Sequence, residues 1–188
     1  MNTRNQYHEL LKNYSVGLEV GVEYGAFAEQ ILQNWEGRLV CVDFWGKQPN
    51  YNEPPNDKNF IEMFDIFNQK MIPFSDRVLI VKNLSEVASR FFPENYFDFI
   101  FIDANHEYSS IKKDMEVWWP KLKSGGLFSG HDWLHNFNPT DKNMSVYFDG
   151  NYIGEYGVNS AVSEFCEKNN YGFKVTNEEF ATWYFYKR

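Results

Sequence analysis

Residues 17–27 read GLEVGVEYGAF, and this stretch decides the fold. An apolar run carries an acid, Glu19, and is followed by two glycines four positions apart, Gly21 and Gly25. A helical apolar pattern then covers 26–32, with Phe27, Ile31 and Leu32 on one side. The physical reading is a strand that turns sharply into a helix. Glycine lets backbone approach a ligand with no Cβ in the way. The unpaired N–H groups of the new helix face whatever sits in the turn. A dinucleotide-binding turn would read G-x-G-x-x-G. Here the pattern is E-x-G-x-x-x-G, with an acid on the strand itself. A pyrophosphate fits that turn less well than a ligand with a nucleoside and a positive centre.

Outward from this stretch, strand and helix patterns alternate. Tyr7, Leu10, Leu11 and Tyr14 fall at helical spacing, so a short amphipathic helix is expected within residues 1–15. The run 38–43 (RLVCVD) is apolar and ends in an acid, as a buried parallel strand would. A helix is predicted over 60–71, a strand over 77–81 and a helix from Ser85, with Ser85 as a plausible cap. FDFIFID at 97–103 is a fourth strand, 110–122 a helix ending at Gly125-Gly126, and 127–129 a fifth strand. A helix over 158–168 precedes two aromatic-rich strands, 172–176 and 182–186, close enough to pair as a hairpin. Strands joined by helices pair in parallel with right-handed crossovers. The expectation is a single α/β domain over 1–188, an open, mostly parallel sheet with one antiparallel strand near its edge and helices on both faces. Ligands bind such sheets beyond the carboxyl ends of the strands, where the strand order switches. Two long loops, 44–57 and 132–155, leave that edge and read either as a substrate lid or as structural loops. Trp45, Trp133, Tyr147, Phe148 and Tyr152 lie on them and are candidates for an aromatic pocket wall. Of Trp118 and Trp119, one is expected on the sheet and the other partly exposed.

Composition narrows the classes. The 188 residues carry a net charge of −8 and no Lys/Arg cluster, which argues against nucleic acid or an anionic membrane as partner. Aromatic residues make up 19%, enough for both a core and a pocket. Cys41 and Cys166 fall in apolar or helical patterns and read as buried reduced thiols. No stretch reaches the length of a membrane span, and the first residues lack the apolar core of a signal peptide, so a cytoplasmic protein is expected.

The segments GLEVGVEYGAF, RLVCVDFW, FDFIFIDANHEY and LKSGGLFSGHDW, in this order, resemble the class I S-adenosylmethionine-dependent methyltransferases from about residue 16 to 186. Within that class the chain is most similar to the metal-dependent small-molecule O-methyltransferases of the catechol and macrolide-sugar types. The resemblance implies a Rossmann-like sheet of seven strands. It also implies a cofactor, S-adenosyl-L-methionine, with Glu19, Gly21 and Gly25 around its methionyl part and Asp43 accepting from the ribose hydroxyls. Leu84 and Ser85 match the adenine-edge positions. For Asp43 a turn-capping role, and for Ser85 a simple N-cap, stay open.

Asp103 and Asp132 end neighbouring strands and can converge, and two converging carboxylates need a shared proton or a cation. The resemblance implies Mg²⁺ there, with Asp103 also beside the cofactor. His106, three residues past Asp103, is the candidate general base, because imidazole titrates near working pH. It can also serve only to bond a neighbouring loop. The sequence departs from the pattern at Trp133, where catechol-type enzymes have asparagine. It departs again at His131, where the sugar type has a carboxylate ligand. His131 can be a third metal contact, a second acid/base group or a structural histidine. A small-molecule methyl acceptor is the expected partner, and a homodimer is left open. Two other classes remain: a cofactor-binding fold-mate with other chemistry, hydroxylase-like, and a non-catalytic binding module.

Overall fold

A computed structural model describes residues 1–47, 59–137, 141–148 and 150–188. The chain opens with a 3-10 helix, Arg4–Leu11, and continues through β1 (Val16–Val20), α1 (Ala26–Asn34), β2 (Arg38–Asp43) and α2 (Phe60–Met71). Then come β3 (Val78–Lys82), α3 (Ser85–Ala88), β4 (Phe97–Ile102), α4 (Tyr108–Trp118) and β5 (Leu122–Leu134). A hairpin of β6 (Met144–Phe148) and β7 (Asn151–Tyr156) precedes α5 (Val158–Lys168), β8 (Lys174–Val175) and β9 (Phe180–Tyr186).

Seven strands form one sheet in the order β3-β2-β1-β4-β5-β9-β8. The first five are parallel, and β9 runs antiparallel to both β5 and β8. The expected fold class is therefore observed, single antiparallel strand included. Side-chain alternation on the inner strands feeds two apolar layers. Leu18, Val40, Val42, Ile100 and Phe128 join Met115, Trp118 and Val162 on one face. Leu39, Cys41, Phe99, Phe101 and Leu127 join Tyr7, Phe27, Ile31 and Phe67 on the other. Trp183 and Phe185 enter the first layer and Tyr184 the second, so β9 is buried on both faces. Trp118 is fully buried and Trp119 half-buried, as expected. Both cysteines are buried.

Two elements differ from the reading of the sequence. The fifth strand is far longer than 127–129, running Leu122–Leu134 through Gly125 and Gly126. The expected loop over 132–155 holds the end of that strand and the β6–β7 hairpin. Most of the loop expected over 44–57 lies outside the described residues. Among the described residues no helix is long and apolar enough to cross a membrane.

Candidate active site

The strand order reverses between β1 and β4, and their carboxyl ends meet there. Asp103 donates its N–H to the Val20 carbonyl at 2.7 Å. Gly21 has φ +83°, and a Cβ at this position would lie 2.0 Å from the Asp103 carbonyl oxygen. The turn is thus open to glycine alone. Gly25, φ +74°, begins α1, and a Cβ there would strike the Phe67 ring at 2.5 Å. Asp43 at the tip of β2 fixes the turn. Its Oδ2 accepts from the N–H groups of Val22 and Glu23 at 2.8 and 2.9 Å, and its Oδ1 from Trp45 at 2.9 Å.

A cavity of about 630 Å³ opens above this turn. Glu19, Gly21, Asp43, Leu84, Ser85, Asp103 and His106 all line it, as does Arg4 from the N-terminal helix. Gly25 is buried against α2 and is not among the lining residues. The expected aromatic wall is differently built. Tyr24, Phe27, Phe44 and Phe60 line the cavity. Trp45 is instead buried on Phe64 and Phe67, Trp133 packs on Phe173, and Tyr147 pairs with Tyr152 on the hairpin. The side chain of Phe148 lies outside the described residues.

Glu19 is 1% exposed, and among the described residues its Oε2 has no hydrogen-bond partner. Burial, reinforced by the nearby Asp103, pushes its carboxyl well above the usual range, while Arg4 opposes the shift. A buried carboxyl of this kind is satisfied by a positive ligand group.

Two acids and two imidazoles converge where Asp103 and His106 line the cavity; the other two, Asp132 and His131, are not among the lining residues. His106 Nε2 lies 2.9 Å from Asp132 Oδ2 and 3.8 Å from Asp103 Oδ1. His131 Nδ1 lies 3.2 Å from Asp132 Oδ2 and 3.7 Å from Asp103 Oδ1. One donor atom each from Asp103, His131 and Asp132 fall within 4.8 Å of one another. Asp132 reaches inward because β5 bulges against β9 between Gly130 and Trp133, with Asp132 at φ +62°. Bulges re-aim side chains beside functional sites, and aspartate tolerates this left-handed backbone better than most residues. Burial works against ionisation of Asp132, but the adjacent His106 and His131 outweigh it and hold the carboxyl well below the usual range. The His106 ring stacks on Tyr156 at the end of β7, centroids 4.7 Å apart, and its carbonyl accepts from Gly157 at 2.7 Å. The hairpin therefore supports the histidine.

Ser85 is not the cap; Leu84 takes that position, and its N–H donates to Asn83 Oδ1 at 2.9 Å. The Ser85 hydroxyl accepts from Trp118 Nε1 at 2.8 Å and donates to Asp114 Oδ1. Asp114 is a lining residue the sequence reading missed. Burial pushes its carboxyl up to about 7, against the Ser85 hydrogen bond. Its place in the amphipathic pattern of α4 gave no signal of this.

A model for a methyltransferase domain matches residues 18–133, which spans β1 through the bulge of β5. The chain belongs to the methyltransferase-domain family. It is an S-adenosylmethionine-dependent methyltransferase, as the four segments implied. No curated protein sequence matches it. Among solved structures, the methyltransferase resembles a Staphylococcus aureus protein provisionally assigned as a caffeoyl-CoA O-methyltransferase. That pair has TM-score 0.70 and 16% identity, over 98% of this chain and 82% of the other. It also resembles the 1,6-didemethyltoxoflavin-N1-methyltransferase of Burkholderia thailandensis, a structure with S-adenosylhomocysteine bound. Here the TM-score is 0.63 and the identity 13%, over 99% and 79% of the two chains. A Clostridium thermocellum protein provisionally assigned as an rRNA methylase is similar to the same degree, with TM-score 0.65 and 11% identity, over 100% and 96%. Neighbours with such different acceptors share the fold with this methyltransferase, and the fold does not select the acceptor.

Proposed function

We propose that this methyltransferase carries the methyl group of S-adenosylmethionine to a hydroxyl of a small molecule. In this reading Asp103, Asp132 and His131 hold a divalent cation and His106 is the base. The observation that carries the reading is the convergence of these four side chains, two of which, Asp103 and His106, line the cavity above the glycine turn.

The residues fit both groups. Glu19 Oε2, unpartnered among the described residues, suits the positive methionyl end, and the Gly21 turn leaves space that a Cβ would fill. Asp43 keeps acceptor capacity for ribose hydroxyls, since a carboxylate has about four lone-pair sites and three N–H groups use it. Leu84 and the Ser85–Asp114 pair stand at the adenine end. In the cluster, donor separations of 3.2 and 3.7 Å suit adjacent ligands on one cation, whose bonds are about 2.0–2.2 Å long. Two carboxylates favour Mg²⁺, and the imidazole leaves room for a softer first-row ion. When bound, such a cation lowers the pKa of a coordinated hydroxyl and fixes its oxygen.

The protein's own groups do the rest. His106, steadied by Tyr156 and by the Asp132 carboxylate, accepts the hydroxyl proton. Bound S-adenosylmethionine would supply the methyl group to the freed oxygen, the electron pair of its carbon–sulfur bond staying on sulfur. Positioning rather than covalent catalysis is what the site supplies. Converged acids and a supported base are of no use to a binding module, which disfavours that class.

The test is methyl transfer to a panel of sugars, phenols and hydroxylated natural products, with Mg²⁺ and after exhaustive chelation. The expected result is transfer to a hydroxyl acceptor, lost on chelation and restored by Mg²⁺. Transfer that survives chelation removes the cation and leaves His106 to act alone.

A further inference from the structure

The N-terminal helix does more than cover the sheet. Tyr7 and Leu11 are fully buried, and Tyr7 Oη lies 2.6 Å from the buried Ser129 hydroxyl. The Arg4 N–H donates to Glu178 Oε1 at 2.6 Å, and Asn177 N–H to the Asn2 carbonyl at 3.0 Å, so the segment is fastened to the turn before β9. These anchors hold Arg4 over the cavity. Its guanidinium lies over the Phe27 ring at 5.0 Å, and its Nη1 donates to Asp103 Oδ2 at 3.2 Å. The other guanidinium N–H groups have no hydrogen-bond partner among the described residues. The head thus sits over the helix that follows the glycine turn and acts electrostatically on Glu19.

Within one cavity, then, a buried carboxyl whose Oε2 has no hydrogen-bond partner among the described residues stands near an anchored guanidinium with donors to spare. A ligand group with an ammonium and a carboxylate on one carbon complements that pair. We propose that Arg4 is the residue that binds the carboxylate of the cofactor's amino-acid end, with Glu19 on the ammonium side. Guanidinium is suited to this task because its planar fork offers two parallel N–H bonds to a carboxylate. The proposal rests on the S-adenosylmethionine reading above and adds a residue outside the matched methyltransferase segment, 18–133. A carboxylate on the methyl acceptor is the competing partner for Arg4, and the experiment separates the two.

The experiment is calorimetric titration of the full chain with S-adenosylmethionine and with its decarboxylated analogue, which keeps the nucleoside, sulfonium and ammonium. Arg4→Gln removes the charge but keeps a polar side chain, and Arg4→Lys restores a charge without the fork. Loss of a hydrogen-bonded charge pair should weaken S-adenosylmethionine binding by roughly ten- to a hundredfold in Arg4→Gln. Affinity for the decarboxylated analogue should stay within about twofold of wild type, and Arg4→Lys should recover only part of the loss. Equal losses for both ligands make Arg4 a structural residue and overturn the proposal. Unchanged binding of S-adenosylmethionine also overturns it and leaves a carboxylate of the acceptor as the partner of Arg4 to test. Wild-type protein that binds neither ligand fails the cofactor reading itself, a result distinct from the other two.

Discussion

Asp114 shows how one residue couples the cavity wall to stability. Its carboxyl sits near 7 in the folded protein because burial penalises the charge, against an ordinary 3.8. Between those values the folded state binds more protons than the unfolded chain, so this group makes stability fall as pH rises from about 4 to about 7. Asn keeps the shape and an acceptor for Ser85 with no charge to bury. Asp114→Asn should match wild type in Tm near or below pH 4 and exceed it increasingly up to about pH 7. The gain is on the order of 2–4 kcal/mol at about 1.4 kcal/mol per pH unit, several degrees for a domain of this size. A Tm difference that stays flat across this range would contradict the assignment. Nothing in the sequence distinguishes Asp114 from a solvated helix acid, since its meaning comes from Ser85 and Trp118, remote in sequence. Asp43 was legible as a strand-tip acid, and its three N–H bonds reveal that it also holds the glycine turn.

At the scale of elements, the turn after β1 is the most constrained part of the site. Gly21 and Gly125 have nearly the same φ, +83° and +77°, but of the two only Gly21 has neighbours in the way. Gly125→Ala meets nothing within 4 Å and should cost about 1 kcal/mol from the left-handed backbone alone. Gly21→Ala must in addition part β1 from β4, because its Cβ would sit 2.0 Å from the Asp103 carbonyl oxygen. It should lower Tm by well over twice as much, about 3 kcal/mol or more, and abolish S-adenosylhomocysteine binding. Thermal unfolding of the two variants side by side decides this, and equal losses would mean that the turn relaxes freely. Strands β1 to β4 were legible because each is an apolar run bounded by turn residues. β5 was cut short in the reading because Gly125-Gly126 looked like a boundary, whereas the strand passes through both. The β6–β7 hairpin was missed too, although the Asp149-Gly150 dipeptide between aromatic runs is a hairpin signal. The bulge that aims Asp132 has no sequence signature at all, since it depends on register against β9.

Across the whole molecule, the sheet order brings to one edge groups that the sequence scatters from Arg4 to Asp132. Parallel crossovers put the carboxyl ends of β1 to β5 on the same side, so the acids at the ends of β2 and β4 and at the bulge of β5 lie on that edge. Most of the candidate site was legible for that reason. What was not legible is the reach of the N-terminal helix and the support of His106 by Tyr156, because both depend on packing between distant segments. The central claim is that His106 takes a hydroxyl proton during methyl transfer, and kcat of His106→Ala protein on a hydroxyl acceptor tests it most directly. Tm and S-adenosylhomocysteine affinity are read on the same sample. General-base assistance is worth roughly 10²–10⁴-fold, so kcat should fall by about that factor with cofactor affinity nearly unchanged. Near-normal kcat in folded protein would contradict the account and leave His106 only a structural bond between β4 and the hairpin.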